Sequence, residues 1–173
     1  ILDGSNDPMR VINHMITTGN VPEDRSHQFY ATPEALAREV IDHADIQDGM
    51  SVLEPSAGLG AIADIVGAGS VQCVEVSALR AEVLRSKGHR VDCADFLRWA
   101  ETAPQFDRIV MNPPFSNGRW QAHIEAARGL LKPSGKIIAI LPSTASNHPG
   151  VNVLSRHDGA FDKTGVSVII VEI

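Results

Sequence analysis

Asn112-Pro113-Pro114-Phe115 is the stretch of this chain whose residue types most directly suggest chemistry. It follows Phe106-Asp107-Arg108-Ile109-Val110-Met111, which reads as a buried strand. Two consecutive prolines forbid both helix and continued sheet pairing, so the chain must leave the sheet in a rigid, extended turn. That turn offers one amide side chain, backbone carbonyls and an aromatic face at the strand's carboxyl end, the edge where open α/β sheets collect ligands. An acceptor-rich corner beside a flat ring suits a planar substrate bearing an NH2 group.

Three further groups recur at strand ends. Glu54-Pro55-Ser56-Ala57-Gly58-Leu59-Gly60 joins an apolar strand to a helix, and Gly58 and Gly60 are expected to let backbone approach a ligand closely. The third glycine of a dinucleotide fingerprint is absent, since that position is Ala63. Glu75 ends the next strand, where a carboxylate can accept both hydroxyls of a ribose. Asp95 and Phe96 follow the third strand, as an acceptor for an adenine amino group and a ring to flank it; Asp95 also suits a helix N-cap. No phosphate-binding lysine follows the glycines, which disfavours a nucleoside triphosphate. The set describes a site for an adenosyl ligand.

The elements that must position these groups alternate. Thr32-Pro33-Glu34-Ala35 reads as a helix start with Thr32 as N-cap, and Leu36, Val40, Ile41 and Ala44 give that helix one apolar face. Strands are predicted at 50–54, 71–76, 90–93, 106–111 and 136–141, with helices at about 60–67, 78–87 and 118–131 and a short one after Phe96. The pattern predicts an α/β, doubly wound, mostly parallel sheet of about seven strands, the last antiparallel. Only about eight residues separate Pro142 from the next strand-like run at 151–154, too few for an ordinary parallel crossover.

At 173 residues the chain is long enough for one domain with a sizeable core, and 43% apolar residues is ordinary for a soluble protein. Residues 1–28 read as a polar extension with a short helix at 8–16; residues 29–173 are expected to form a single domain. The first residue is not Met, so chain upstream is expected; the start does not resemble a secretory signal, and no apolar run is long enough to span a membrane. Cys73 and Cys93 are expected to be buried free thiols in a reducing cytoplasm, and the seven His show no metal-ligand spacing. The formal charge is −6, unevenly spread: residues 1–79 carry three basic against twelve acidic side chains, residues 80–173 twelve against nine. A polyanion should therefore meet the second half; Arg119, Arg156 and Lys163 are candidate phosphate contacts, although each reads more readily as a solvated surface charge.

Taken together, the glycine turn, Glu75, Asp95-Phe96 and Asn112–Phe115 resemble class I S-adenosylmethionine-dependent methyltransferases. The Asn-Pro-Pro-Phe turn and the leading Gln28-Phe29-Tyr30-Ala31-Thr32-Pro33 segment narrow the resemblance to DNA adenine-N6 methyltransferases of a compact phage or mobile-element type. It covers about residues 28–142, and Gly159–Val166 is similar to the family's late segment. The resemblance implies S-adenosyl-L-methionine as cofactor, with Tyr30 and Thr32 at its methionine end, Glu54, Pro55, Ser56, Ala57, Gly58 and Gly60 around it, Glu75 on the ribose, and Asp95 and Phe96 on the adenine. Asn112, Pro113, Pro114 and Phe115 would face a flipped adenine in DNA. Amino-methyltransferases acting on rRNA bases or a protein glutamine amide use the same turn, and a non-catalytic interaction module of this fold is a further alternative. A partner subunit or a homodimer stays open.

Overall fold

The computed structural model describes residues 31–161 and 165–173. The predicted helix at 8–16, Tyr30 and Lys163 lie outside the described residues. Seven strands form one sheet: β1 (Val52–Glu54), β2 (Val71–Glu75), β3 (Arg90–Cys93), β4 (Phe106–Met111), β5 (Leu131–Pro142), β6 (Asn152–His157) and β7 (Val168–Glu172). Their spatial order is β3-β2-β1-β4-β5-β7-β6. The first five pair in parallel, and β7 runs antiparallel to both β5 and β6. Helices α1 (Glu34–Ala44), α2 (Ala63–Val66), α3 (Ala78–Ser86), α4 (Phe96–Trp99) and α5 (Arg119–Gly129) complete the α/β, Rossmann-like architecture predicted from the alternating pattern.

Both faces of the sheet are covered, because successive residues of each central strand point to opposite sides. Val110, Ile138, Ile140 and Val168 pack with Leu36, Val40 and Ala44 of α1, Ala63 of α2 and Leu84 of α3. Ile109, Met111, Ile137, Ala139 and Ile169 pack on the other side with Phe96 of α4 and Trp120, Ile124 and Ala127 of α5. Among the described residues, no helix is long and apolar enough to cross a membrane.

Two local expectations are corrected, and the short connection after Pro142 is accounted for. Lys132-Pro133-Ser134-Gly135, expected to separate the helix at 118–131 from the strand at 136–141, instead lies within β5, where these four residues between Leu131 and Lys136 face the single residue Asp107 between Phe106 and Arg108. The short stretch after Pro142 forms a 3-10 turn, Ser143–Asn147, and β6 then lies one strand beyond β7 instead of pairing with β5. Cys93 is exposed, because β3 is an edge strand; Cys73, on the inner strand β2, is buried, and both are free thiols.

Polar anchors fix the amino ends of β1 and β4. Asp107 accepts from the Ser51 N–H (2.8 Å), the Ser51 hydroxyl (2.7 Å) and Lys132 Nζ (2.7 Å). These bonds to its charged form hold its carboxyl well below the usual range. Buried Arg108 donates from Nε to the Ala44 carbonyl (2.6 Å) and from Nη2 to that of Asp45 (3.4 Å), capping the end of α1. The chain end of α1 is thereby tied to β4, whose far end carries the Asn-Pro-Pro-Phe turn. Arg108→Met would leave these carbonyls without a donor, and we expect a loss of about 2–4 kcal/mol in urea unfolding; a change below about 0.5 kcal/mol, the size of an ordinary surface substitution, would contradict the anchoring role.

Candidate functional site

The carboxyl ends of β1, β2, β3 and β4 surround one cleft. It brings together Thr32, Pro55, Ser56, Ala57, Gly58, Glu75, Asp95, Phe96, Asn112, Pro113, Pro114 and Phe115, drawn from four strand exits and the segment before α1. It does not bring in Glu54 or Gly60, and Tyr30 lies outside the described residues.

The glycine turn is shaped by backbone bonds. Gly60 N–H donates to the Ala57 carbonyl (2.8 Å), and the Gly60 carbonyl accepts from Asp64 N–H (2.7 Å) at the start of α2. Gly60 has φ +91°, and a Cβ there would stand 2.8 Å from Leu84 Cδ2. Gly60 therefore packs closely on α3 and does not itself line the cleft. Gly58, at φ 56°, does line the cleft. Glu54 is buried behind the turn; burial, reinforced by the charges of Asp64 and Glu75, pushes its carboxyl well above the usual range despite a backbone bond from Ala63.

Glu75 is the most heavily organised group. Its Oε2 accepts from Gly58 N–H (2.8 Å), and its Oε1 accepts from Ser77 N–H (2.8 Å) and Arg80 Nε (3.0 Å), with Arg80 Nη2 at 2.9 Å. Both side chains are nearly sealed, at 4% and 2% exposure. A charge pair this buried persists only where its remaining polar atoms are well bonded. Oε1 is saturated, and Oε2 retains acceptor capacity beside the cleft. Arg80 was not foreseen from sequence. The signal was present in Glu75-Val76-Ser77-Ala78-Leu79-Arg80: Ser77 caps α3, accepting from Arg80 N–H, and the arginine then falls in the first turn, back over the acid.

Asp95 caps α4 through Oδ1, accepting from Leu97 N–H (3.1 Å) and Arg98 N–H (3.3 Å). Its Oδ2 meets Arg119 Nη2 at 3.4 Å. The cap and the cleft position are therefore compatible, one oxygen serving each. Phe96 is largely buried and shows the cleft only part of its ring, which tilts against His123 at 5.3 Å. His123, like Phe161, is a lining residue without a prior role. It sits on the apolar face of α5 with Trp120, Ile124 and Ala127, a placement that reads as core. Its Nδ1 lies 3.4 Å from Ser56 Oγ. Burial first, and then the charge of Arg119, lower its pKa to about 4.

At the end of β4, Asn112 Nδ2 donates to Thr32 Oγ1 (3.0 Å). Pro113 is buried, and Phe115 meets Phe161 edge-on with ring centroids 6.4 Å apart. Phe161 comes from the segment after β6, so the aromatic wall of the cleft is closed by chain that follows the sheet's antiparallel end. Arg156 lies on edge strand β6 and is exposed. Among the described residues no group of three His, Cys, Asp or Glu side chains could hold a metal ion.

No family model matches this sequence, and no curated protein matches it closely. Solved structures do share its fold. TrmN from Thermus thermophilus superposes with a TM-score of 0.63 at 23% identity, over 80% of this chain and 48% of TrmN. A protein assigned as the modification subunit of a type I restriction enzyme, from Vibrio vulnificus, gives 0.71 at 16% identity, over 96% of this chain and 50% of its own. A protein assigned as an RNA methyltransferase, from Pyrococcus horikoshii, gives 0.64 at 22% identity, over 84% and 87%. The chain spans about half the length of the first two. These likenesses establish the Rossmann-like methyltransferase fold.

His123 gives this site a measurable signature. A histidine whose folded pKa lies below its unfolded value binds fewer protons when folded, so stability is full above about pH 6.5 and falls as pH drops toward about 4. In proton-detected titration, His123 is expected to stay neutral at pH 5. His123→Gln should flatten the fall in stability between about pH 6.5 and 4; an ordinary histidine titration near pH 6.5 would contradict the buried, neutral assignment.

Proposed function

We propose that the chain transfers the methyl group of S-adenosyl-L-methionine to an exocyclic amine, and that the acceptor is the 6-amino group of an adenine in DNA flipped into the cleft. The observation that carries this reading is the position of Asn112: its amide stands in the same cleft as a buried ribose-type carboxylate, Glu75, and beside two aromatic rings.

The lining residues fit such a cofactor. Glu75 Oε2 has a lone pair available for a ribose hydroxyl beside the Gly58 backbone. Asp95 Oδ2 can accept from an adenine amino group, next to the exposed part of Phe96. Ser56 and Ala57 line the cleft beside the position proposed for the methionine end. When bound, the cofactor supplies an electrophilic methyl on a sulfonium sulfur.

The chain's contribution is on the acceptor side. An aromatic amine is a weak nucleophile because its lone pair is delocalised into the ring. Acceptance of its N–H groups by Asn112 Oδ1 and the Pro113 carbonyl favours a pyramidal nitrogen. It also stabilises the positive charge that grows there, as an oxyanion hole does for the opposite sign. Phe115, braced edge-on by Phe161, stacks on the base and orients the amine toward the methyl. A base within a duplex cannot reach this geometry, so it must be extruded or already unpaired.

Labelled methyl transfer onto duplex DNA, single-stranded DNA, RNA and protein tests the acceptor. We expect label on DNA, at adenine N6. Label confined to RNA or protein would replace the acceptor while retaining the chemistry, and absence of cofactor binding would leave only an interaction module. Asn112→Ala is expected to lower transfer by about 10²–10³-fold while leaving cofactor affinity within about twofold, the size of a negligible binding change. Retained turnover in that variant would refute the role of the amide.

A further inference from the structure

Thr32-Pro33-Glu34 has the composition of a helix N-cap, yet the Thr32 hydroxyl does not cap α1. The N-cap position is Pro33, with φ −57° and ψ 141°, and no side-chain bond caps the helix. Ala37 N–H is satisfied by the Pro33 carbonyl (3.0 Å). The hydroxyl instead crosses to the end of β4, 80 positions away in sequence, and accepts from Asn112 Nδ2 at 3.0 Å. The residue before a proline is held extended, which fixes the backbone from which this hydroxyl projects.

A planar amide presents either its oxygen or its nitrogen on a given side; a hydroxyl can partner either, and here it accepts from Nδ2. With Nδ2 engaged by Thr32, Asn112 Oδ1 is left for the cleft, and no described residue donates to it. That orientation suits a substrate that offers N–H. The reverse orientation would present N–H to the cleft and suit a carbonyl. A group bonded to the far side of the reacting amide, and itself fixed by a proline and a helix, holds that amide in place.

Building on the proposed methyl transfer, we infer that Thr32 is a positioning residue for Asn112: its hydroxyl, fixed by the extended backbone before Pro33, holds the amide by Nδ2 and leaves Oδ1 free for the acceptor's N–H. The role differs from contact with the methionine end, which the cleft position of Thr32 would also allow. The two make opposite demands on kinetics. A methionine contact acts on cofactor affinity, whereas an amide lock acts on kcat with the cofactor saturating.

The test compares Thr32→Val, which keeps the shape and removes the hydroxyl, with Thr32→Ser, which keeps the hydroxyl. Each is assayed for S-adenosylmethionine affinity by titration, for kcat on an unpaired adenine oligonucleotide, and for the ¹⁵N side-chain amide resonance of Asn112. We expect Thr32→Val to lose about 10- to 100-fold in kcat, to keep cofactor affinity, and to shift or broaden the Asn112 amide signal. Thr32→Ser should restore all three toward wild type. Unchanged kcat in Thr32→Val, or a loss confined to cofactor affinity, would overturn the inference. If wild type transfers methyl and Asn112→Ala does not, that outcome falls on Thr32 alone. If wild type neither binds the cofactor nor transfers methyl, the underlying functional reading falls with it. An Asn112 amide resonance indifferent to both substitutions would overturn the lock independently of activity.

Discussion

The carboxylate of Glu75 is the interaction on which the site's geometry depends. One buried group ties together the end of β2, the glycine turn through Gly58, the N-terminus of α3 through Ser77, and Arg80. Parallel strands deliver their loops to a common edge, but nothing in a parallel sheet fixes those loops relative to one another. Glu75 does so for the side of the cleft formed by β1 and β2. Arg80 holds the carboxylate in one rotamer, and the cost of burying the pair is offset by the bonds around it. An acceptor held this way would need no reorganisation to take a hydroxyl donor.

The opposite side of the cleft is organised differently, by rigidity of backbone. Pro113 and Pro114 end β4 without continuing the sheet, and Asn112 is left at the last position before them. The Arg108 anchor at the far end of α1 and the Thr32–Asn112 bond at its near end make α1 a strut along β4. One side of the cleft thus rests on buried charge and the other on proline and packing. The reacting groups would approach between two walls that are each fixed before binding, which is how preorganised sites lower a barrier.

Much of this was legible in the sequence because it is written in local terms. Apolar runs ending in Glu54, Glu75 and Met111 gave the strands, and the prolines at 113 and 114 gave the exit. What escaped reading depends on contacts between distant segments. Thr32 reads as a cap until β4 is beside it. Gly60 reads as a ligand glycine until Leu84 is seen to occupy the space a Cβ would need. Arg80 and His123 are helix residues like many others, and only burial beside a carboxylate or an aromatic ring distinguishes them. Phe161 enters the cleft from beyond β6, through a topology in which the last strand inserts between two earlier ones. The expected separator at Lys132–Gly135 was misread because turn-rich composition also describes an irregularity inside a strand.

The central claim is that a single cleft holds an adenosyl cofactor against Glu75 with its reactive end directed at Asn112. A crystal structure of the chain with S-adenosylhomocysteine tests this most directly. The account predicts a ribose hydroxyl within hydrogen-bonding distance of Glu75 Oε2, the adenine beside Phe96 and Asp95, and the sulfur facing Asn112. A ligand bound elsewhere, or bound in this cleft with its sulfur turned away from Asn112, would contradict it.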